Sequence, residues 1–258
     1  MEIFAHADTW VALLTLTFLE IILGIDNVIF ISISANKLPE EKVRKATLLG
    51  LGLAMLTRIL LLFSVSYLIA LKDPFFKINW SWFQSDFTGQ SLILFFGGLF
   101  LLYKSTKEIR QKVETTEEKK LIKTPKVVSF KSVIIQIILI DIVFSFDSIL
   151  TAVGMTNGVD GALIIMVIAV IVSIIIMMIF AQPINQFVHR NPTIQMLALS
   201  FLILIGFMLI AEGAHLSHTK IFNKSVGVIP KGYLYFAIAF SLGVELLNLK
   251  SRKKNNKQ

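Results

Sequence analysis

Seven stretches of this chain stay apolar for about the 20 residues that crossing about 30 Å of hydrocarbon requires at 1.5 Å of rise per residue. They cover residues 10–34, 48–71, 87–103, 133–155, 162–184, 194–214 and 232–249. The third is the weakest: its fully apolar part begins only at Leu92, and it reaches spanning length with the help of Thr88, Gly89 and Gln90. Composition agrees with a membrane chain, since 16% of residues are charged where a soluble domain carries about 25%. A single soluble core, a disordered chain and a coiled coil are excluded. The absence of cysteine removes disulfides, thiolate metal ligands and thiol redox chemistry.

The net charge of +8 sits in loops and in a basic tail, so it is a topology signal before it is a partner signal, and no nucleic-acid partner is expected. The first residues hold Glu2 and Asp8 but no Lys or Arg, unlike a signal-peptide leader, and the first run is therefore expected to be a retained span. With seven crossings and the N-terminus outside, nineteen Lys and Arg fall on the cytoplasmic side and five outside, with Arg58 inside the second run. If the third run did not cross, the highly basic segment after it would share a side with Lys72 and Lys77 and the asymmetry would collapse. The N-terminus is thus expected outside and the C-terminus in the cytoplasm. The aromatics between residues 73 and 83 read as a belt at headgroup depth.

The expected fold is all-α: a polytopic membrane protein of seven transmembrane helices forming one domain, 1–258. It comprises a first three-helix repeat (10–103), a flexible cytoplasmic linker (104–130), a second, inverted three-helix repeat (131–214), a seventh helix outside the symmetry (232–249) and a basic cytoplasmic tail (250–258). The repeat is carried by the first and fourth spans. At a constant offset of 121 residues, Glu20 falls on Asp141, Gly24 on Ser145, Asp26 on Asp147 and Asn27 on Ser148. In the expected topology the two copies run in opposite directions, the arrangement of secondary transporters that bind substrate and coupling ions near the midplane.

The candidate metal ligands are Glu20, Asp26, Asn27, Asp141, Asp147 and Ser148. On an unbroken helix residues six apart are displaced by about 9 Å and turned by about 120°, so Glu20 and Asp26 cannot both grip one ion. A break at Gly24 and at Ser145 would free backbone carbonyls to join the carboxylates, whereas unbroken helices would make the acids successive stations on a path. The competing explanation is structural ion pairing, with Arg58 and Lys104 as partners. Four carboxylates against one deeply placed Arg leave a formal charge of −3, and a charge at the bilayer centre costs from about 2.5 to over 10 kcal/mol. Acids left unpaired must be protonated, hydrated or cation-bound. Carboxylate and amide oxygens suit Mg²⁺, Ca²⁺ and Mn²⁺, without separating Mn²⁺ from Ca²⁺, and protons exchanged for metal would keep the charge balanced.

Elsewhere, His215 and His218, with Glu212 nearby, have the spacing of a two-ligand metal site, but two His on an outer loop are more often ordinary surface residues. Glu212 and Glu245 suit polar contacts within the bundle, and Gly97, Gly98 and Gly206 suit close helix contact. No P-loop, Rossmann fingerprint, G-x-S-x-G or H-E-x-x-H is present, so neither an ATP-driven pump nor a hydrolase is supported; no enzyme activity and no tightly bound cofactor are expected.

The runs at 19–30 (LEIILGIDNVIF), 97–104 (GGLFLLYK), 141–150 (DIVFSFDSIL), 206–213 (GFMLIAEG), 230–237 (PKGYLYFA) and 240–248 (FSLGVELLN) resemble the TerC/Alx family of bacterial integral membrane proteins over almost the whole chain. That family was named for tellurium resistance, is associated mainly with Mn²⁺ export and is grouped with the LysE transporter superfamily. The resemblance implies a bacterial inner-membrane exporter with Mn²⁺ as transported substrate, and its acidic motifs fall on Glu20, Asp26, Asp141 and Asp147, with Asn27 and Ser148 beside them. Two other functions compete. One is a metal-binding membrane partner or scaffold, in metal delivery to exported proteins or in tellurium stress; the other is a LysE-like exporter of organic solutes. The expected partners are a divalent metal ion and the lipid bilayer, with room for a homo-oligomer or membrane-protein partners.

Overall fold

A computed structural model describes residues 7–64, 71–118, 129–156, 159 and 161–255, with the backbone alone for 25, 26, 115–118 and 252–255. In chain order the elements are α1 (Ala7–Ala35), α2 (Glu40–Phe63), β1 (Pro74–Asn79), β2 (Phe83–Thr88), α3 (Gly89–Glu118), α4 (Phe130–Met155), α5 (Ala162–Arg190), α6 (Pro192–Leu216), β3 (Lys220–Ile221), β4 (Lys224–Ser225) and α7 (Lys231–Asn255). The protein is mostly helical, as hydrocarbon demands: with no water to satisfy them, backbone N–H and C=O groups must pair within their own segment. Among the described residues, six helices are long and apolar enough to cross a membrane. They are α1, α2, α4, α5, α6 and α7. The exception is α3, the weakest of the seven expected spans, so a count of seven crossings goes further than length and composition carry.

Two features depart from the expected organisation. The segment after Tyr103, expected to be flexible linker, continues as helix to Glu118. Its Lys, Arg, Glu and Gln side chains favour helix, and ion pairs one turn apart, Lys104 to Glu108 at 3.1 Å and Arg110 to Glu114 at 2.5 Å, reinforce it. Lys112 also donates to the side-chain oxygen of Gln195 on α6. The rest of that linker, 119–128, lies outside the described residues, as do the last residues of the basic tail. The second departure is a small four-stranded antiparallel sheet in the order β1-β2-β3-β4. Its aromatics Phe75, Phe76, Trp80, Trp82 and Phe222 are exposed. The β3–β4 turn places Phe222 and Asn223 at positive φ, the backbone a two-residue hairpin of this twist needs.

The third helix starts at Gly89, two residues after the expected span does, because Thr88 caps it. The Thr88 hydroxyl accepts from the Ser91 amide at 3.0 Å and the Ser91 hydroxyl accepts from the Thr88 amide at 3.1 Å, a reciprocal cap that ends the strand and opens the helix.

The helices group into two compact units. One contains α1, α2, α4 and α5; the other contains the sheet, α3, α6 and α7. Each unit therefore draws helices from both halves of the chain. In the second unit α3 and α6 pack backbone to backbone: a Cβ on Gly98 would lie 2.5 Å from the Gly206 carbonyl oxygen, and one on Gly213 would lie 2.7 Å from that of Ser91. Small residues at such crossings let lipid-embedded helices gain van der Waals contact, in line with the close contact expected of Gly98 and Gly206. In the first unit Gly50 lies against Ile137, and the thioether of Met177 rests on Gly24.

Gly206→Leu is expected to cost about 1–3 kcal/mol by overpacking and to lower the melting temperature of detergent-solubilised protein by about 2–10 °C. Gly243→Leu, where an added Cβ meets nothing within 4 Å, should melt close to the parent.

Candidate functional site

All six predicted ligands lie on α1 and α4, inside the first unit. Both helices are continuous where a break was considered: α1 runs unbroken through Gly24 and α4 through Ser145. Gly24 accepts the side chain of Met177 on α5, and a Cβ there would collide with it. Ser145 remains helical and donates its hydroxyl to Asp141 Oδ2 at 3.1 Å. The two acids of each helix are therefore separate stations about 9 Å apart along the axis.

The first acid of each helix is held by Arg58 on α2. Its Nη1 donates to Glu20 Oε2 at 2.5 Å, while Nη2 and Nε donate to Asp141 Oδ1 at 2.9 and 3.3 Å. All three side chains are buried, with exposures of 2%, 2% and 3% for Glu20, Arg58 and Asp141. The structural explanation weighed for the sequence thus holds for these two acids, and Arg58 is their partner; Lys104, the other candidate, pairs with Glu108 instead. The planar guanidinium suits the task because its fixed fork of donors reaches two carboxylates at once. The hold is unequal. Asp141 Oδ2 also accepts from Thr57 at 3.3 Å and from Ser145, so Asp141 has partners on both oxygens, whereas among the described residues Glu20 has the single contact to Nη1. Thr57 escaped the sequence reading; its position next to Arg58 was the only signal for it.

Helices α1 and α4 run in opposite senses. Ser34, near the end of α1, accepts from Gln136, near the start of α4, at 3.0 Å, while Glu20 further back on α1 shares Arg58 with Asp141 further on along α4. Going from Glu20 to Asp26 and from Asp141 to Asp147 therefore moves in opposite directions, and Asp147 lies on the Glu20 side of Asp141.

Asn27 and Ser148 lie seven residues beyond Glu20 and Asp141, which returns them to nearly the same helix face. Both are buried. Ser148 donates to the Ser145 carbonyl at 3.2 Å. Asn27 differs: at 4% exposure, neither its amide oxygen nor its amide nitrogen has a hydrogen-bond partner among the described residues. An orphaned buried amide costs about 1–3 kcal/mol and needs a physical explanation, such as water or an ion. Asp147 is half-buried, and the side chain of Asp26 lies outside the described residues. Among the described residues, no group of three or more His, Cys, Asp or Glu side chains is gathered as a ready metal cage.

Three further polar places belong to the picture. At the start of α2 and the end of α5, a cavity of about 300 Å³ is lined by Asn36, Glu40, Arg44, Thr47, Asn185 and His189, among others. His215 and His218, weighed as a metal pair, turn Nδ1 toward backbone carbonyls, those of Val226 at 3.1 Å and Leu216 at 3.3 Å. Glu245 has one buried oxygen without a partner among the described residues and receives Asn248 on the other at 3.4 Å.

Long apolar helices around a buried cluster of carboxylates and one guanidinium define a polytopic membrane protein with a charged core. Comparison makes the assignment particular: the integral membrane protein TerC family matches residues 5–258, and the chain belongs to that family. A UPF0053 protein of Haemophilus influenzae is 43% identical over 98% of this chain and 98% of its own length. The UPF0053 inner membrane protein YgdQ of Escherichia coli is 46% identical over 96% of this chain and 95% of its own. A longer Escherichia coli relative, the UPF0053 inner membrane protein YoaE, is 40% identical over 98% of this chain but only 45% of itself. No solved structure matches the chain.

Truncating one member of a buried ion pair leaves the others uncompensated, at about 3–5 kcal/mol. Arg58→Ala is therefore expected to strip detergent-solubilised protein of most of its thermal stability, while Thr57→Val, which removes one hydrogen bond from Asp141, should cost only about 1 kcal/mol. Melting curves of the two variants beside the parent provide the check.

Proposed function

We propose that this protein is a secondary transporter of the bacterial inner membrane that exports a divalent cation, with Mn²⁺ the favoured substrate, through the acidic core of α1 and α4. The observation that carries this reading is Asn27, whose buried amide has no hydrogen-bond partner among the described residues although it follows Asp26 and shares a helix face with Glu20. A buried amide oxygen left free next in sequence to an intramembrane acid is a ligand for a hard cation. Charge supports the same conclusion. By formal count Glu20, Asp26, Asp141 and Asp147 together with Arg58 carry −3, which a divalent ion lowers to −1. Proton uptake as the metal leaves would cover the remainder, which favours metal/proton antiport.

Membership of the TerC family favours Mn²⁺ over Ca²⁺, and the inner-membrane names of its relatives favour that location. The charge asymmetry of the loops favours an N-terminus outside and a C-terminus in the cytoplasm. Continuous helices favour a stepwise path over a single cage, with Asp26, Asn27, Asp147 and Ser148 taking the ion in turn with the Arg58-linked acids. No chemical step and no resident cofactor enter this scheme.

Purified protein in liposomes should move Mn²⁺ alone, faster under an imposed pH gradient of the right sign. Asp147→Asn should abolish the flux while the protein still inserts. Mn²⁺ bound without flux would point instead to a metal-binding scaffold, and flux unchanged in Asp147→Asn would remove that residue from the path.

A further inference from the structure

The repeat pairs Glu20 with Asp141 as equivalents, yet the structure treats them differently, and this asymmetry points to a switch. Asp141 is anchored on both oxygens: two guanidinium nitrogens of Arg58 on one, the hydroxyls of Thr57 and Ser145 on the other. Among the described residues, Glu20 is held by Nη1 of Arg58 alone. Two of the anchoring groups, Arg58 and Thr57, are neighbours on α2 and a third, Ser145, is one turn from Asp141 on α4. The guanidinium would therefore stay on Asp141 if Glu20 left.

We propose that Glu20 is an exchangeable carboxylate that alternates between Arg58 and the transported cation, while Asp141 holds Arg58 in place throughout. This deepens the transport reading and rests on it. The two partners of Glu20 exclude each other, because a guanidinium and a divalent ion on one carboxylate would repel strongly in a site that water does not screen. Cation binding thus breaks the ion pair between α1 and α2, and cation release lets Arg58 take Glu20 back, so that this acid is never left buried without a positive partner. Asp147, lying on the Glu20 side of Asp141, is the acid placed to share the cation with it. Ion occupancy is in this way tied to the contact between two packed helices, which a carrier of alternating access requires.

Titration calorimetry of Mn²⁺ into the purified full chain tests the exchange. Lysine keeps the charge of Arg58 but offers one ammonium in place of the fork. Remaining with the better-anchored Asp141, it frees Glu20, so Arg58→Lys is expected to bind Mn²⁺ about tenfold more tightly than the parent. Glu20→Gln, which removes the exchanged ligand, should bind about tenfold more weakly. A purely structural ion pair predicts the opposite for Arg58→Lys, since a loosened core does not bind its ligand better. Unchanged or weaker binding by Arg58→Lys, or unchanged binding by Glu20→Gln, overturns the proposal.

Should Arg58→Lys fail to fold, infrared difference spectra of the parent chain carrying ¹³C-guanidino arginine decide the matter. Mn²⁺ should shift a guanidinium band in the parent and not in Glu20→Gln; no shift in the parent overturns the exchange. If the parent binds and transports Mn²⁺ but these signatures are missing, the exchange alone fails. If the parent binds no divalent ion, the transport reading falls and takes the exchange with it.

Discussion

A charge buried away from water must find an opposite charge close by, and in this protein that demand is met at one guanidinium. Arg58 ties α1, α2 and α4 together through Glu20 and Asp141, joining residues 38 and 83 positions apart in the chain. Such a knot adds little net stability, because the desolvation of three ions offsets much of their attraction. Its consequence is specificity: once the acids are in place, the helices that bear them have few other arrangements in which no buried charge is orphaned. The packing of the first unit therefore follows from the polar cluster as much as from the apolar surface around it.

The cluster is nonetheless incomplete as a purely structural device. Among the described residues, Asn27, two helical turns along α1 from Glu20, sits buried without a hydrogen-bond partner, and Glu20 has one contact where its counterpart Asp141 has four. Both are departures from the pairing that a core built for stability alone would show. Sites that bind a ligand transiently need such incompleteness, since a fully satisfied carboxylate has no reason to let go of its partner. The second unit, by contrast, is held by steric fit. Glycines on α3 and α6 bring two backbones into contact, and the Thr88–Ser91 cap and the β-hairpin fix where α3 begins.

Legibility in the sequence varied from element to element for physical reasons. Hydropathy located six spanning helices, because the transfer free energy of a run is the sum of its residues and hardly depends on its neighbours. It served less well for α3, where the apolar part is short and a charged second half continues as helix to Glu118. The ion pairs that extend it are local, so Lys104–Glu108 and Arg110–Glu114 were open to detection by their four-residue spacing. The sheet was missed because β3 and β4 have only two residues each and the aromatics of β1 read equally well as a belt at headgroup depth. The role of Gly24 was also hidden: a glycine between two intramembrane acids suggests a break, but what stands there is the side chain of Met177, delivered from more than 150 residues away.

From the chain alone follow the membrane class, the helical fold, the repeated acids and Arg58 as their natural counter-charge. All of these depend on residue type and spacing, which are properties of short stretches. Folding was needed to show that Arg58 takes both first acids, that it holds them unequally, that the helices run unbroken past Gly24 and Ser145, and that Asn27 is left without a partner. Those outcomes depend on which helices pack together and at what height, and packing is settled by the whole set of contacts at once. A pattern of one helix can state that a charge needs a partner, but only the neighbours brought to it in three dimensions determine which partner it has.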